Sequence, residues 1–165
     1  MKLFLSLLFL STSLVFSAAV EQKSMDYFQK IALGAEFGRS TSKVVKWVKP
    51  IKIYVSGKAP KQLDEELSKI ILELNTLTKP LNLSRVEKEK DANFIVCFGS
   101  DQDYLKIQPA SKKYLSNNWG LFFIYWNHRK EIYKGSMYVD IIRCKDKQAQ
   151  KHLLREELTQ ALGLM

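Results

Sequence analysis

Histidine and cysteine are scarce in this 165-residue chain, with two of each, and their positions exclude several chemistries. Neither Cys97 nor Cys144 has a second cysteine at short spacing, which removes the usual sulfur-rich zinc sites. Neither His128 nor His152 stands in a recognisable serine or cysteine nucleophile motif, and no glycine-rich phosphate loop occurs. The long apolar run, Leu3 to Phe16, falls short of the ~20 residues that a membrane-spanning helix needs. Outside that run there are no internal repeats and no low-complexity tracts. Acidic residues are missing from the whole stretch between Arg39 and Lys61.

The amino end has the three parts of a secretory signal: Met1-Lys2, the apolar run, and the small residues Ser17-Ala18-Ala19. Residues 1–19 are therefore expected to be a signal peptide cleaved after Ala19. This implies an exported protein, secreted or periplasmic, that does not span the membrane once cleaved. The remainder, 20–165, has the length of one domain with a sizeable core. Export places Cys97 and Cys144 where a disulfide can persist, and such a bridge would stabilise the fold by about 3–5 kcal/mol. Two separate buried thiols are the alternative.

Within the acid-free stretch lie Arg39, Lys43, Lys46, Lys49, Lys52, Lys58 and Lys61, part of a formal net charge of +9. In an exported chain this block favours anionic cell-envelope polymers or lipid head groups over nucleic acid. A strand that turns Trp47 and Tyr54 inward and its lysines outward would carry the same pattern.

Along the chain, Glu21 to Ala35 reads as a helix, closed by Gly34 and Gly38, and Ile51 to Val55 reads as a β-branched strand after Pro50. Pro60 and the spacing of Leu63, Leu67, Ile70, Ile71 and Leu74 predict a helix over 61–76, stopped by Lys79-Pro80. Residues 81–91, charged with mixed sign, read as an exposed connection. Asn93 to Gly99 is an unbroken apolar run, as expected of a strand buried on both faces. A short helix over 101–107 capped by Ser100 or Asp101, a polar loop over 109–118, and a hairpin of 119–126 with 131–142 follow. Gly135 inside the second hairpin strand suggests a bulge or an accessible backbone.

The last segment, from Lys151 to Met165, places Leu154, Leu158, Ala161, Leu162 and Met165 at helical spacing. At about 100° per residue, Glu156, Gln160 and Glu157 then share one arc beside that apolar stripe, with Glu157 nearer the core. His152 lies one turn before Glu156, within reach of its carboxylate.

Glu156-Glu157-Leu158-Thr159-Gln160-Ala161-Leu162-Gly163 resembles the active-site helix of the zincin metallopeptidases, His-Glu-x-x-His-x-x-Gly. In that pattern, residues at i and i+4 hold zinc and the intervening Glu acts as general base on the metal-bound water. The resemblance puts Glu156 and Gln160 in the ligand positions, Glu157 in that of the base and Gly163 in that of the turn glycine. The third ligand would stand three residues after Gly163, one beyond Met165, so either the sequence is truncated or that part of the site has been lost. A closer resemblance is to a family of exported bacterial proteins of unknown function with Glu-Glu-x-x-Gln-x-x-Gly-Leu on the last helix.

The resemblance implies an α+β, zincin-like domain: a mixed sheet backed by helices, the terminal helix carrying the motif. Zinc would be the cofactor and a peptide the substrate of an active member with Glu157 as base. A carboxylate and a neutral amide form a poorer zinc site than two imidazoles, so the expectation is a degenerate, non-catalytic relative of such peptidases. A cell-envelope binding module using the basic block is the alternative from a different class. A metal-free pair of acids, as in sugar hydrolysis, is disfavoured because adjacent helix residues point in different directions.

Overall fold

The computed structural model describes residues 44–78 and 81–163. The signal peptide, the helix expected over 21–35, Arg39, Lys43, the Lys79-Pro80 stop, Leu164 and Met165 lie outside the described residues.

Among the described residues six strands make one mixed sheet: β1 (Lys46–Trp47), β2 (Ile51–Ser56), β3 (Leu83–Arg85), β4 (Phe94–Gly99), β5 (Gly120–Trp126) and β6 (Glu131–Asp140). β3, β2, β4 and β6 run parallel in that spatial order, and β5 closes the sheet antiparallel to β6. The helices are α1 (Lys61–Leu77), α2 (Asp101–Ile107), α3 (Lys112–Leu115) and α4 (Lys147–Gln160). This is the mixed sheet backed by helices that the sequence leads one to expect, with the motif on the last helix.

β4 is apolar along its whole length because parallel strands flank it and helices cover it, and all six of its residues are buried. On one face α1 and α4 lie side by side. α1 buries Leu63, Leu67, Ile70 and Ile71, and Arg155 of α4 reaches across to Glu73 at 2.6 Å and Glu66 at 2.9 Å on α1. The other face is sealed by α2 and α3, where Tyr104 and Leu115 pack on Cys97, Leu121 and Tyr138. Tyr104 and Tyr138 stack with ring centroids 4.8 Å apart. Ser100 begins α2 with a full capping box: it receives the Asp103 amide, and Asp103 receives its own.

Several local expectations need correction. The stretch 81–91 contains strand β3, held between β2 and the Asn75 side chain of α1, which both donates to and accepts from the Leu83 backbone at 2.8 Å. Its one buried side chain, Leu83, leaves no periodicity to read. Residues 109–118 hold a 3₁₀ turn and the short α3, anchored by buried Ser111 and Leu115. β1 also escapes a sequence reading, since only two residues pair with the start of β6.

Gly135 is neither a bulge nor exposed. The Phe94 ring lies where its Cβ would be, at 2.8 Å, and the irregularity of the hairpin falls at Tyr125/Trp126. The expected Cys97–Cys144 disulfide is not formed, and both thiols are free and buried. Cys97 faces the α2 side from the middle of the sheet, while Cys144 sits in the turn before α4, its sulfur 3.7 Å from the Asp146 carbonyl oxygen. Burial, the larger cause, together with the Asp103 charge pushes the Cys97 thiol up to about 11, so it is protonated and unreactive at neutral pH.

β6 stops at Asp140 because that buried carboxylate accepts the amides of Ile142 and Arg143, turning the chain. The Arg143 guanidinium bonds Asp140 at 2.6 Å and donates to the carbonyls of Leu115, Ser116 and Asn118 at 2.9–3.0 Å. One ion pair thus ties the end of the central strand to the end of α3. Removing the acid strands a partly buried guanidinium, so Asp140→Ala should lower stability by about 3 kcal/mol in chemical denaturation, discounting for the partial exposure of Arg143.

Candidate functional site

α4 starts at Asp146, whose carboxylate caps the Gln148 and Ala149 amides at 2.7 and 2.8 Å. Its apolar stripe is the expected one at Leu154, Leu158 and Ala161, all buried, while Leu162 is only partly so. The motif residues go to different surroundings. Glu157 is buried, 8 % exposed, and lies against the start of β5: a Cβ on Gly120 would stand 2.7 Å from its Oε1 and 3.0 Å from Leu153 Cδ2. Gly120 therefore leaves the space that the Glu157 side chain fills.

Glu156 stays on the solvent side, 3.6 Å from His152 Nε2, the contact expected from their spacing. Gln160 is half-buried near the end of the helix. Gly163 has φ of +105°, and a Cβ there would strike the Val45 carbonyl oxygen, so the turn after the helix requires glycine. One residue pair on, Trp47 Nε1 donates to the Ala161 carbonyl oxygen at 2.9 Å. β1 thus pins the end of the motif helix.

Hydrogen bonds from Arg155 hold the Glu73 carboxyl below its ordinary range, and Lys151 adds a weaker contact to Glu66 at 3.8 Å. These charges join α4 to α1, whereas Glu157 lies against the start of β5. An open depression of about 520 Å³ occurs elsewhere, lined by Tyr54, Val55, Arg85, Val86 and Glu87. None of the motif residues lines it.

A zinc site needs three converging ligands. The donor set offered here, one carboxylate at Glu156 and one neutral amide at Gln160, does not suit zinc. Among the described residues no three His, Cys, Asp or Glu side chains are grouped to hold a metal ion. Among the described residues, Glu156 and Gln160, which stand in the first two ligand positions, do not fit the zinc that the zincin pattern implies.

Sequence reasoning located Glu156, Glu157, Gln160 and Gly163 and offered Trp47 as an inward-facing strand residue, but did not connect Trp47 to the helix and missed Gly120 and Arg155. Gly120 had a readable signal, a glycine between Trp119 and Leu121 at the opening of a strand where no turn is needed.

The chain belongs to a family described as a protein of unknown function, DUF2927, which matches residues 21–165. No curated protein matches it in sequence. Among solved structures, that of myroilysin aligns with a TM-score of 0.41 at 15% identity, over 74% of this chain and 53% of that one. This chain thus spans about half of myroilysin's length, and a likeness so distant bears no weight for the site.

The packing of Glu157 under Gly120 makes a direct prediction. Gly120→Ala should overpack the contact and lower stability by about 1–3 kcal/mol, read as a fall in melting temperature. A melting temperature equal to wild type would show that Glu157 is not confined there.

Proposed function

We propose that this is an exported zincin-like domain in which the motif helix has a structural role and is not catalytic. The observation that carries the reading is the divergence of the two acids. Glu157, in the position of the general base, fills space under Gly120, whereas Glu156, in a ligand position, is solvated beside His152. A general base must meet the water it deprotonates, and a ligand pair must converge on one point. Neither condition is supported by this arrangement.

The layout of the sheet, with α1 and α4 on one face and an antiparallel edge strand beside the motif, supports descent from such a scaffold. Gly163, Ala161 and Glu157 are each accounted for by contacts with Val45, with Trp47 of β1 and with Gly120 of β5, which supports a motif retained for packing.

Metal analysis and stability separate the readings. The purified chain incubated with excess zinc should retain well under one equivalent, unchanged by Glu156→Ala. Glu156→Ala should also leave stability within about 0.5 kcal/mol of wild type, as for exposed pairs. Glu157→Ala should cost about 2 kcal/mol or more, because it empties a packed site. One equivalent of zinc that disappears in Glu156→Ala would overturn the proposal.

A further inference from the structure

Acidic residues are also missing from Tyr104 to Lys130, a stretch that forms the end of α2, α3 and β5. In β5, Phe123 pairs with Ser136 and Tyr125 with Lys134. Ser136 bonds Tyr104 of α2 at 2.9 Å, so these cross-strand pairs share the sheet face on which α2 and α3 lie. Two residues of strand advance the chain by roughly 7 Å, and the Phe123 and Tyr125 rings follow one another along the edge strand. α3 adds a third ring, Tyr114, whose centre is 6.1 Å from that of Phe123.

These rings are held in place by the protein itself. The Tyr125 hydroxyl accepts from Gln108 Nε2 at 2.6 Å and donates to its Oε1 at 2.9 Å, and Phe123 and Tyr114 pack on the cluster of Cys97, Leu121 and Tyr138. Tyr125 is nevertheless 38 % exposed, and Phe123 and Tyr114 are half-buried. A cation adjoins the first ring and the last: Lys113 Nζ is 4.7 Å from the centre of the Tyr114 ring, and Lys134 is the cross-strand partner of Tyr125. Both lysines are exposed, and among the described residues neither has a carboxylate partner. The acids that border the stretch are engaged elsewhere, Asp103 by Lys106 at 3.1 Å and Glu131 by Arg129 at 2.9 Å.

We propose that this row of rings binds an anionic polysaccharide, with sugar rings laid over Phe123 and Tyr125 and acidic groups of the polymer on Lys113 and Lys134. The C–H face of a sugar ring packs on an aromatic face while its hydroxyls stay in water, and a ring already fixed by Gln108 loses little freedom when it is covered. The combination selects among partners. A single strand of nucleic acid carries a phosphate at every step and would meet cations along the whole row, whereas here they adjoin its first and last rings. A bilayer would need rings that stand clear of the sheet, and Phe123 and Tyr114 do not. An apolar protein groove would bury two lysines without acids to meet them. The proposal does not rest on the reading of the motif helix, since no residue of that motif belongs to this surface.

Titration calorimetry of the full chain with polygalacturonate, a polymer of uronic acids, tests it. Binding is expected to be at least about tenfold tighter than to the methyl-esterified polymer, which keeps the rings without the charge, or to polyglutamate, which keeps the charge without the rings. It should weaken as salt shortens the reach of the charges. Lys113→Glu with Lys134→Glu should reduce the affinity more than about tenfold, and Tyr125→Leu should do the same through the lost ring. Thermal melts matching wild type establish that each variant is folded, and Lys113→Ala with Lys134→Ala serves if charge reversal is not tolerated. Absence of binding to polygalacturonate overturns the proposal. So does equal binding of polyglutamate, which would mark a contact of charge alone, tighter binding of oligothymidylate, which would mark a nucleic-acid surface, or binding unaffected by the lysine or tyrosine variants.

Discussion

The pairing of β6 is the constraint on which the remaining structure depends. Its ten residues support β4 in parallel along one side, β5 antiparallel along the other, and β1 at its start. A strand with neighbours on both sides and helices above and below must be apolar where it is covered, and Met137, Tyr138 and Val139 are all buried. Its end has to be closed just as firmly, because an unpaired charge there would cost more than the strand gains. The Asp140–Arg143 pair closes it by satisfying backbone amides with the acid and backbone carbonyls with the base.

The motif helix inherits its position from that strand. α4 follows β6 after a short turn, so it returns over the face that α1 already covers, and Arg155 bridges the two helices. The carboxyl end of the helix is then fixed by strands that pair with β6: Gly120 opens β5 under Glu157, and Trp47 of β1 holds the Ala161 carbonyl. Residues that look like a catalytic pattern in one dimension are distributed by this packing between the interior and the solvent.

Charge is divided in a related way. The contacts between α1 and α4 use two bases and two acids, with Lys151 and Arg155 on Glu66 and Glu73. At the hairpin tip and β1 the bases exceed the acids. Lysines over a sheet face cannot pair along the chain as they do on a helix, since strand neighbours alternate sides.

Periodicity was enough to locate β2, α1, β4, the hairpin and α4, because each buries a stripe that repeats within the element: Leu63, Leu67, Ile70 and Ile71 on α1, or the unbroken apolar run of β4; α2, which buries only Tyr104, was legible from its Ser100 cap. It also placed Glu157 nearer the core than Glu156, a consequence of helix geometry alone. β1, β3 and α3 were not legible, since each buries only one or two side chains and owes its form to partners distant in sequence, such as Asn75 for Leu83. The same reason separates the motif from its surroundings. Spacing along one helix sets which residues share an arc, but whether that arc meets a glycine-made space, a neighbouring imidazole or open water depends on Gly120, His152 and Trp47, two of which come from other elements. The thiols follow suit: their presence is a property of composition, and their separation between the middle of the sheet and the turn before α4 is a property of packing.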